Sequence, residues 1–221
     1  MSRVLALVEG QTEQTFVREV LAPYLGARQV FMTAALIGKP GHKGGVRRYA
    51  AVRQDFIAAL KADSDRFCTT MFDYCGLPSD WPDLSKAKKQ RPGVGVKLIE
   101  KALLQDVAKE VGSSFDAKRF LPYVQLHEFE ALLFSDPDKL ASVLGKPSLS
   151  TKLQSVVDEC GDPEAIDDDP NTTPSKRIIH ISRHFQKTLH GAIASGRIGL
   201  ERMRNKCPHF DEWVKRLEAL R

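Results

Sequence analysis

Short apolar runs alternate with longer segments of helical periodicity through the first part of the chain. The apolar runs cover residues 4–8, 30–37, 67–72 and 120–126. Such runs are typical of strands buried on both faces, which occur in parallel sheets covered by helices. Between them, apolar residues at helical spacing predict helices over 13–25, 49–62 and 95–111. The pattern therefore predicts an α/β core with a mostly parallel four-stranded sheet flanked by helices.

The character of the sequence changes after residue 135. Asp136 and Pro137 form a favourable helix start, and the segments that follow are helical. They cover 138–144, 151–159, a helix that opens at 174, and two closing segments near 199–206 and 208–220. We expect a core over 1–135 and a helical C-terminal extension over 136–221 that packs on it.

Composition limits the class of protein and the cellular location that we expect. The chain has 221 residues, of which 42% are hydrophobic and 28% charged, as in ordinary globular proteins. It has no apolar run long enough to cross a bilayer and no signal-peptide pattern at its N-terminus, so we expect a cytoplasmic protein without a membrane partner. The four cysteines lack paired CxxC spacing, which favours reduced thiols over a zinc ribbon or a disulfide framework.

Acidic residues follow three of the predicted strands. Glu9 ends the first apolar run, Asp73 ends the third, and Glu128 and Glu130 follow the fourth. The carboxyl ends of parallel strands meet at one edge of a sheet, where ligands bind. We therefore predict a catalytic metal site in which Glu9, Asp73 and Glu13 hold Mg²⁺ or Mn²⁺ through carboxylate oxygens. Residues two apart do not face one another on a helix, so only one of Glu128 and Glu130 need point into it.

The residues after Glu9 predict a tight turn into a helix. Gly10 permits a sharp exit from the strand, and Thr12 is the expected N-cap of a helix that begins near Glu13. A loop this short brings Glu9 and Glu13 close enough to share a cation. The alternative is that Glu13 only completes the helix start, where a carboxylate interacts favourably with the helix dipole.

Basic residues predict contacts with phosphate groups. The segment 38–45 has four glycines and three potentially cationic side chains, a composition that lets backbone N–H groups and charges approach phosphates. It lacks the GxxxxGK[ST] spacing of nucleotide triphosphatases. With a net charge of +5 and a pI near 9.0, the chain is compatible with nucleic-acid binding. The candidate nucleic-acid-binding residues are Lys39, His42, Lys43, Arg47, Lys88, Lys89 and Arg177.

Four segments of the sequence resemble those of a known family. They are residues 8–16, 71–78, 125–134 and 174–178, and together they span nearly the whole chain. They are similar to a Toprim-like family of unknown function, distantly similar to OLD-type nucleases, whose members are commonly encoded beside ATPases in settings of anti-phage defence. The resemblance implies a Toprim/Rossmann-like core, nucleic acid as a partner, and an ABC- or AAA-type ATPase subunit as another.

One position departs from the Toprim pattern. In that fold a glutamate ends the first strand and a DxD pair ends a later one, and here Cys75 stands where the second aspartate is expected. A thiol is a poor ligand for Mg²⁺. Two-metal chemistry therefore requires Glu13, Glu128 or Glu130 to supply the missing carboxylate, and a one-metal site would rely on Lys176 or Arg177 to stabilise negative charge.

Three functions are compatible with these features. The leading hypothesis is a metal-dependent nuclease that hydrolyses DNA or RNA in anti-phage defence, with Glu9, Glu13, Asp73, Glu128, Glu130 and Lys176 as candidate catalytic residues. The alternative is a catalytically degenerate Toprim-like subunit or nucleic-acid sensor of an ATPase complex. A third hypothesis is a phosphotransfer or small-nucleotide enzyme that uses the same metal site and the segment 38–45. The sequence determines neither the oligomeric state nor the choice between DNA and RNA.

Overall fold

The structure is a computed structural model that describes residues 1–38, 45, 48–113, 115–166, 169 and 171–220. The strands in these ranges are β1 (Ser2–Val8), β2 (Val30–Leu36), β3 (Phe67–Asp73), β4 (Phe120–Leu121) and β5 (Val124–Gln125). The helices before the last strands are α1 (Gln11–Phe16), α2 (Ala22–Gly26), α3 (Tyr49–Ala62), α4 (Leu84–Ala87) and α5 (Pro92–Val111). Those that follow are α6 (Pro137–Val143), α7 (Ser150–Cys160), α8 (Pro174–Ile181), α9 (Ala192–Ile198), α10 (Leu200–Lys206) and α11 (Pro208–Glu218).

The sheet has the order β2-β1-β3, and both β4 and β5 pair with β3. All of these pairings are parallel, and Val8 lies opposite both Leu36 and Met71. The predicted α/β fold, with a parallel sheet flanked by helices and a helical C-terminal part, is confirmed. The parallel register also brings the ends of β1 and β3 to the same edge, which positions the acids that follow them.

The fourth predicted strand, 120–126, is divided in two at Pro122. Proline has no N–H group to donate to the ladder, so regular pairing stops there. Two threonines of β3 bridge the interruption with their side chains: Thr69 Oγ1 donates to the Leu121 carbonyl at 2.6 Å, and Thr70 Oγ1 donates to the Tyr123 carbonyl at 2.8 Å. The chain therefore continues along β3 and delivers residues 126–130 to the sheet edge.

Side chains of β1 alternate between two hydrophobic clusters, one on each face of the sheet. Val4, Ala6 and Val8 belong to the cluster under α1 and α2, whereas Leu7 belongs to the cluster under α3 and α5. The first cluster also includes apolar residues from α6 to α11. Trp213 of α11 stacks on Tyr123, with ring centroids 4.2 Å apart, so the C-terminal helices and the sheet share a core. The boundary at residue 135 stays a prediction.

The helix after β1 begins earlier than predicted. It starts at Gln11, with Gly10 in the N-cap position, and it continues through a π-helical segment at Val17–Leu21 into α2. The predicted N-cap role of Thr12 is wrong, because Thr12 is a buried residue inside the helix and the cap has no side-chain hydrogen bond. In the part of the chain that the structure describes, no helix is both long and apolar enough to cross a membrane.

Candidate metal and phosphodiester site

The turn after β1 brings two carboxylates to the sheet edge. Glu9 follows the last residue of β1, and the Glu13 carboxylate turns back towards Gly10. A Cβ atom at Gly10 would lie 2.7 Å from Glu13 Oε2, so the Glu13 carboxylate approaches the backbone closely here and a larger residue at this position would displace it. Glu13 is only 7% exposed, and burial raises its pKa, although backbone hydrogen bonds and the Lys187 charge oppose the shift. Glu13 thus lies in the first turn of α1, and its charge also acts on Asp73 at the sheet edge.

Asp73 is the last residue of β3, and it contacts Glu9 after β1 and Phe129 after β5. Its N–H group donates to Glu9 Oε2 at 3.4 Å, and its Oδ1 accepts a hydrogen bond from the Phe129 N–H at 2.9 Å. The pKa of Asp73 is raised well above its usual value, first by burial and then by the negative charges of Glu13, Glu9 and Glu130. The carboxylates at this edge are close enough to repel one another.

Glu128 and Glu130 both turn towards this cluster. Lys187 Nζ lies 3.3 Å from Glu128 Oε1 and 3.2 Å from Glu130 Oε2. Both acids therefore reach the same lysine, although residues two apart on a regular helix would not face one another. The backbone explains this, because Glu128 is extended and a 3₁₀ helix begins only at Phe129 (Phe129–Ser135). We call Glu9, Glu13, Asp73, Glu128 and Glu130 the carboxylate cluster.

The two acids bound by Lys187 differ in proton affinity. Burial raises the pKa of Glu130 to about 7, despite the nearby Lys187 ammonium. Burial acts on Glu128 in the same direction, but the charge of Lys187 and hydrogen bonds from Ser175 outweigh it and hold the pKa of Glu128 below its usual value. The Ser175 N–H donates to Glu128 Oε2 at 2.8 Å. Glu130 is thus the member whose protonation changes near neutral pH.

Lys187 is the functional candidate that the sequence did not reveal. It lies in a π-helical segment, Lys187–Gly191, that leads into α9. A Cβ atom at Gly191 would lie 3.0 Å from Thr12 Cγ2, so a glycine allows this segment to pack against α1. Burial alone would lower the pKa of Lys187, but the charges of Glu130, Glu128 and Asp73 outweigh burial and raise it, so Lys187 is a cation. Rare π-helical turns are frequent at functional sites, but no local pattern marks one in sequence.

The predicted basic residues of α8 lie outside the carboxylate cluster. Lys176 is exposed, and no ion pair joins it to the residues that the structure describes. The Arg177 Nε donates to the Thr172 carbonyl at 2.9 Å, and its guanidinium lies 3.5 Å from Glu159. The role predicted for Lys176 at the site stays a prediction, and the neighbour that contacts the cluster is Ser175.

Gly38 and Gly45 are the described residues of the segment 38–45. The Gly45 N–H donates to the Glu9 carbonyl at 3.0 Å, and the Gly38 N–H donates to Asp55 Oδ2 at 2.8 Å. Lys88 and Lys89 are exposed at the end of α4. The predicted phosphate-binding residues Lys39, His42, Lys43 and Arg47 lie outside the described residues.

Cys75, the departure from the DxD pattern, is exposed, and its N–H donates to the His127 carbonyl at 3.0 Å. This bond ties the turn after β3 to the segment that carries Glu128. Over the described ranges, no three His, Cys, Asp or Glu side chains are arranged so that they could hold a metal ion by themselves. Mg²⁺ usually keeps several waters and takes only one or two protein carboxylates. The carboxylate oxygens around Asp73 are donors of the kind that such a cation prefers.

The fold and the site define an α/β protein with a parallel sheet and a carboxylate cluster at its carboxyl edge. The chain belongs to the family described as a domain of unknown function, DUF4276, which matches residues 8–218. No curated protein matches the sequence.

Two solved structures are similar to this chain. The C-terminal region of the Burkholderia pseudomallei OLD protein has 15% sequence identity and a TM-score of 0.45, over 97% of this chain and 99% of that one. The C-terminal region of the Xanthomonas campestris pv. campestris OLD protein, phased with platinum, has 17% identity and a TM-score of 0.39, over 97% of this chain and 94% of that one.

Proposed function

We propose that the protein is a divalent-metal-dependent nuclease that hydrolyses phosphodiester bonds of DNA or RNA. The observation that carries the proposal is the crowding of carboxylates around Asp73, whose pKa is raised by burial and then by three neighbouring acids. Strongly perturbed acids gathered at a ligand-binding edge are typical of functional sites. A cation that neutralises them is the partner this chemistry favours.

In this proposal Glu9 and Asp73 hold Mg²⁺ or Mn²⁺, and Glu13 completes the negative environment. The bound ion supplies Lewis-acid polarisation of the phosphate and a water of lowered pKa. Glu130, with a pKa of about 7, is suited to accept a proton at its carboxylate from an attacking water near neutral pH. Glu128 holds Lys187 in place, and the Lys187 ammonium stabilises the charge that develops on the phosphate.

Cleavage assays test this assignment. The purified protein, alone and with a co-encoded ATPase, is incubated with DNA and with RNA that includes tRNA, in Mg²⁺ or Mn²⁺. We expect metal-dependent cleavage that Glu9→Gln and Asp73→Asn each lower by about 10³-fold, the upper end of what loss of one preorganised electrostatic group costs. Glu19→Gln, an exposed acid of the same N-terminal helical region, is the matched control. Cleavage that survives both site variants refutes the assignment.

A second function follows from Cys75 and from the lack of three convergent ligands in the described ranges. Here the protein is a catalytically degenerate subunit, or a nucleic-acid sensor, that acts with an ABC- or AAA-type ATPase in anti-phage defence. This alternative predicts that the protein binds its ATPase partner or nucleic acid tightly whether or not a divalent metal is present. Calorimetric titration with Mn²⁺ separates the two, because saturable binding that Glu9→Gln abolishes supports the nuclease.

A further inference from the structure

A groove of about 500 Å³ lies between α7 and α8. The start of α8 contacts the carboxylate cluster, because the N–H group of Ser175, its second residue, donates to Glu128 Oε2 at 2.8 Å. The next residue, Lys176, lines the groove. One residue of α8 thus contacts the cluster, and its neighbour in the chain lines the groove.

The groove walls are basic. Two exposed lysines line it, Lys152 from α7 and Lys176 from α8, and neither forms an ion pair with the described part of the chain. Arg177 and His180 add two further nitrogen-bearing side chains from α8. Among the described residues that line the groove, Glu159 is the acid, and it is paired with Arg177. The two lysine charges thus remain available to an anion.

The groove also has an apolar component. Val156 of α7 and Ile181 at the end of α8 line it together with the basic residues. Phosphates along a strand are recognised by cations, and the sugars and bases beside them are covered by apolar or planar groups. A free inorganic anion would contact only the cations, whereas a nucleic-acid strand would contact the cations with its phosphates and the apolar residues with its sugars and bases.

We propose that this groove binds a single strand of nucleic acid next to the phosphate that is cleaved. The inference rests on the proposed function, because it makes the groove a continuation of that site. Eight residues of α8 span about 12 Å at 1.5 Å per residue, a length that corresponds to about two or three nucleotides. A cleft between two neighbouring helices accommodates one strand. DNA and RNA share this backbone chemistry.

A binding assay tests the groove independently of cleavage. The variants are Lys152→Glu and Lys152→Glu/Lys176→Glu, and the matched control is Lys101→Glu/Lys109→Glu on α5, whose exposed lysines lie on the helical layer of the other sheet face. Fluorescence anisotropy is measured in EDTA, over a series of KCl concentrations, with labelled single-stranded DNA and RNA of about 20 nucleotides. The melting temperature of each variant verifies folding.

We expect the double groove variant to raise the Kd about tenfold and to lower the slope of log Kd against log salt by about 1.4, since each lost contact to a single strand removes about 0.7. The control pair keeps the wild-type slope. A response to DNA alone or RNA alone identifies the substrate class. Equal Kd values and slopes in groove and control variants, or no binding of either strand by the wild type, overturn the proposal.

Cleavage of a small diester separates this proposal from the proposed function. Bis(p-nitrophenyl) phosphate has no flanking nucleotides, so the ratio of oligonucleotide cleavage to small-diester cleavage should fall about tenfold in Lys152→Glu. An unchanged ratio in Lys152→Glu overturns the proposal that the groove binds the strand. If the wild type cleaves neither substrate, the nuclease assignment fails, while the anisotropy series still decides whether the groove binds a strand.

Discussion

Two regions of this protein bury acidic side chains, and they treat them in opposite ways. In the first, Glu164 accepts hydrogen bonds from the N–H groups of His209 and Phe210, at 2.8 and 2.9 Å, in the first turn of α11. Glu100 accepts from the Val124 N–H at 2.9 Å and lies 3.1 Å from His209 Nε2. Each of these carboxylates is matched by donors that the fold supplies.

The acids of the carboxylate cluster instead interact with one another. Lys187 pairs with Glu128 and Glu130, and the pKa of Asp73 is raised by burial and then by the charges of Glu13, Glu9 and Glu130. The acids around His209 are held by hydrogen-bond donors, whereas the acids at the sheet edge repel one another. The difference separates a hydrogen-bonded polar network from a group of crowded carboxylates.

The largest contrast should be in stability. Glu164→Ala removes two charge-assisted hydrogen bonds to the start of α11, so we expect it to lower the free energy of unfolding by about 3 kcal/mol. Asp73→Asn relieves repulsion and should raise it by about 1 kcal/mol at pH 8 without metal. Urea denaturation of both variants measures the two changes. A loss of stability in Asp73→Asn would remove the contrast.

Lys187 gives the next largest effect. Lys187→Met leaves Glu128 and Glu130 without their cation, and because the lysine side chain is 45% exposed we expect a loss of about 2 kcal/mol, below the 3–5 kcal/mol of fully buried pairs. Lys187→Arg keeps the charge and serves as the control. Thermal unfolding at pH 8 measures stability. Mn²⁺ should increase the stability of the methionine variant at least as much as that of the wild type. If the increase is smaller in the variant, the cluster is not a cation site.

Glu130 gives a pH-dependent effect. Its folded pKa of about 7 exceeds the ordinary value of 4.5, so the folded state holds a proton that the unfolded state releases. The contribution of this group is fully present below pH 4.5 and is lost as the pH rises to about 7, by at most about 1.4 kcal/mol per pH unit. The variant Glu130→Gln should lack this slope in denaturation series from pH 4.5 to pH 8. An identical slope in wild type and variant would contradict the assignment.

Cys75 should give the smallest effect. Its thiol is exposed and is a poor ligand for a hard cation, so Cys75→Ser should change the Kd for Mn²⁺ by less than about twofold. Calorimetric titration measures this, with Glu9→Gln as the variant that loses binding. A larger change in Cys75→Ser would make the thiol part of the site.

The sequence by itself determined the parallel α/β fold and the acids at the ends of its strands. Both depend on local information: apolar runs mark buried strands, and the residue after a strand lies at the sheet edge whatever the rest of the chain does. Glu9 and Asp73 could be located in this way. The convergence of Glu128 and Glu130 could not, because it depends on a 3₁₀ helix where periodicity predicted an ordinary one.

Only the tertiary structure shows which cation lies beside Glu128 and Glu130. Lys187 and Glu130 are 57 residues apart in sequence, and they meet because a π-helical segment packs through Gly191 against Thr12. In the same way, Glu164 lies in the acid-rich segment 158–169, and only the packing of α11 places two N–H groups over its carboxylate. A side chain's partners are set by long-range packing, and charge alone does not distinguish a solvated surface residue from a buried cap or a site residue.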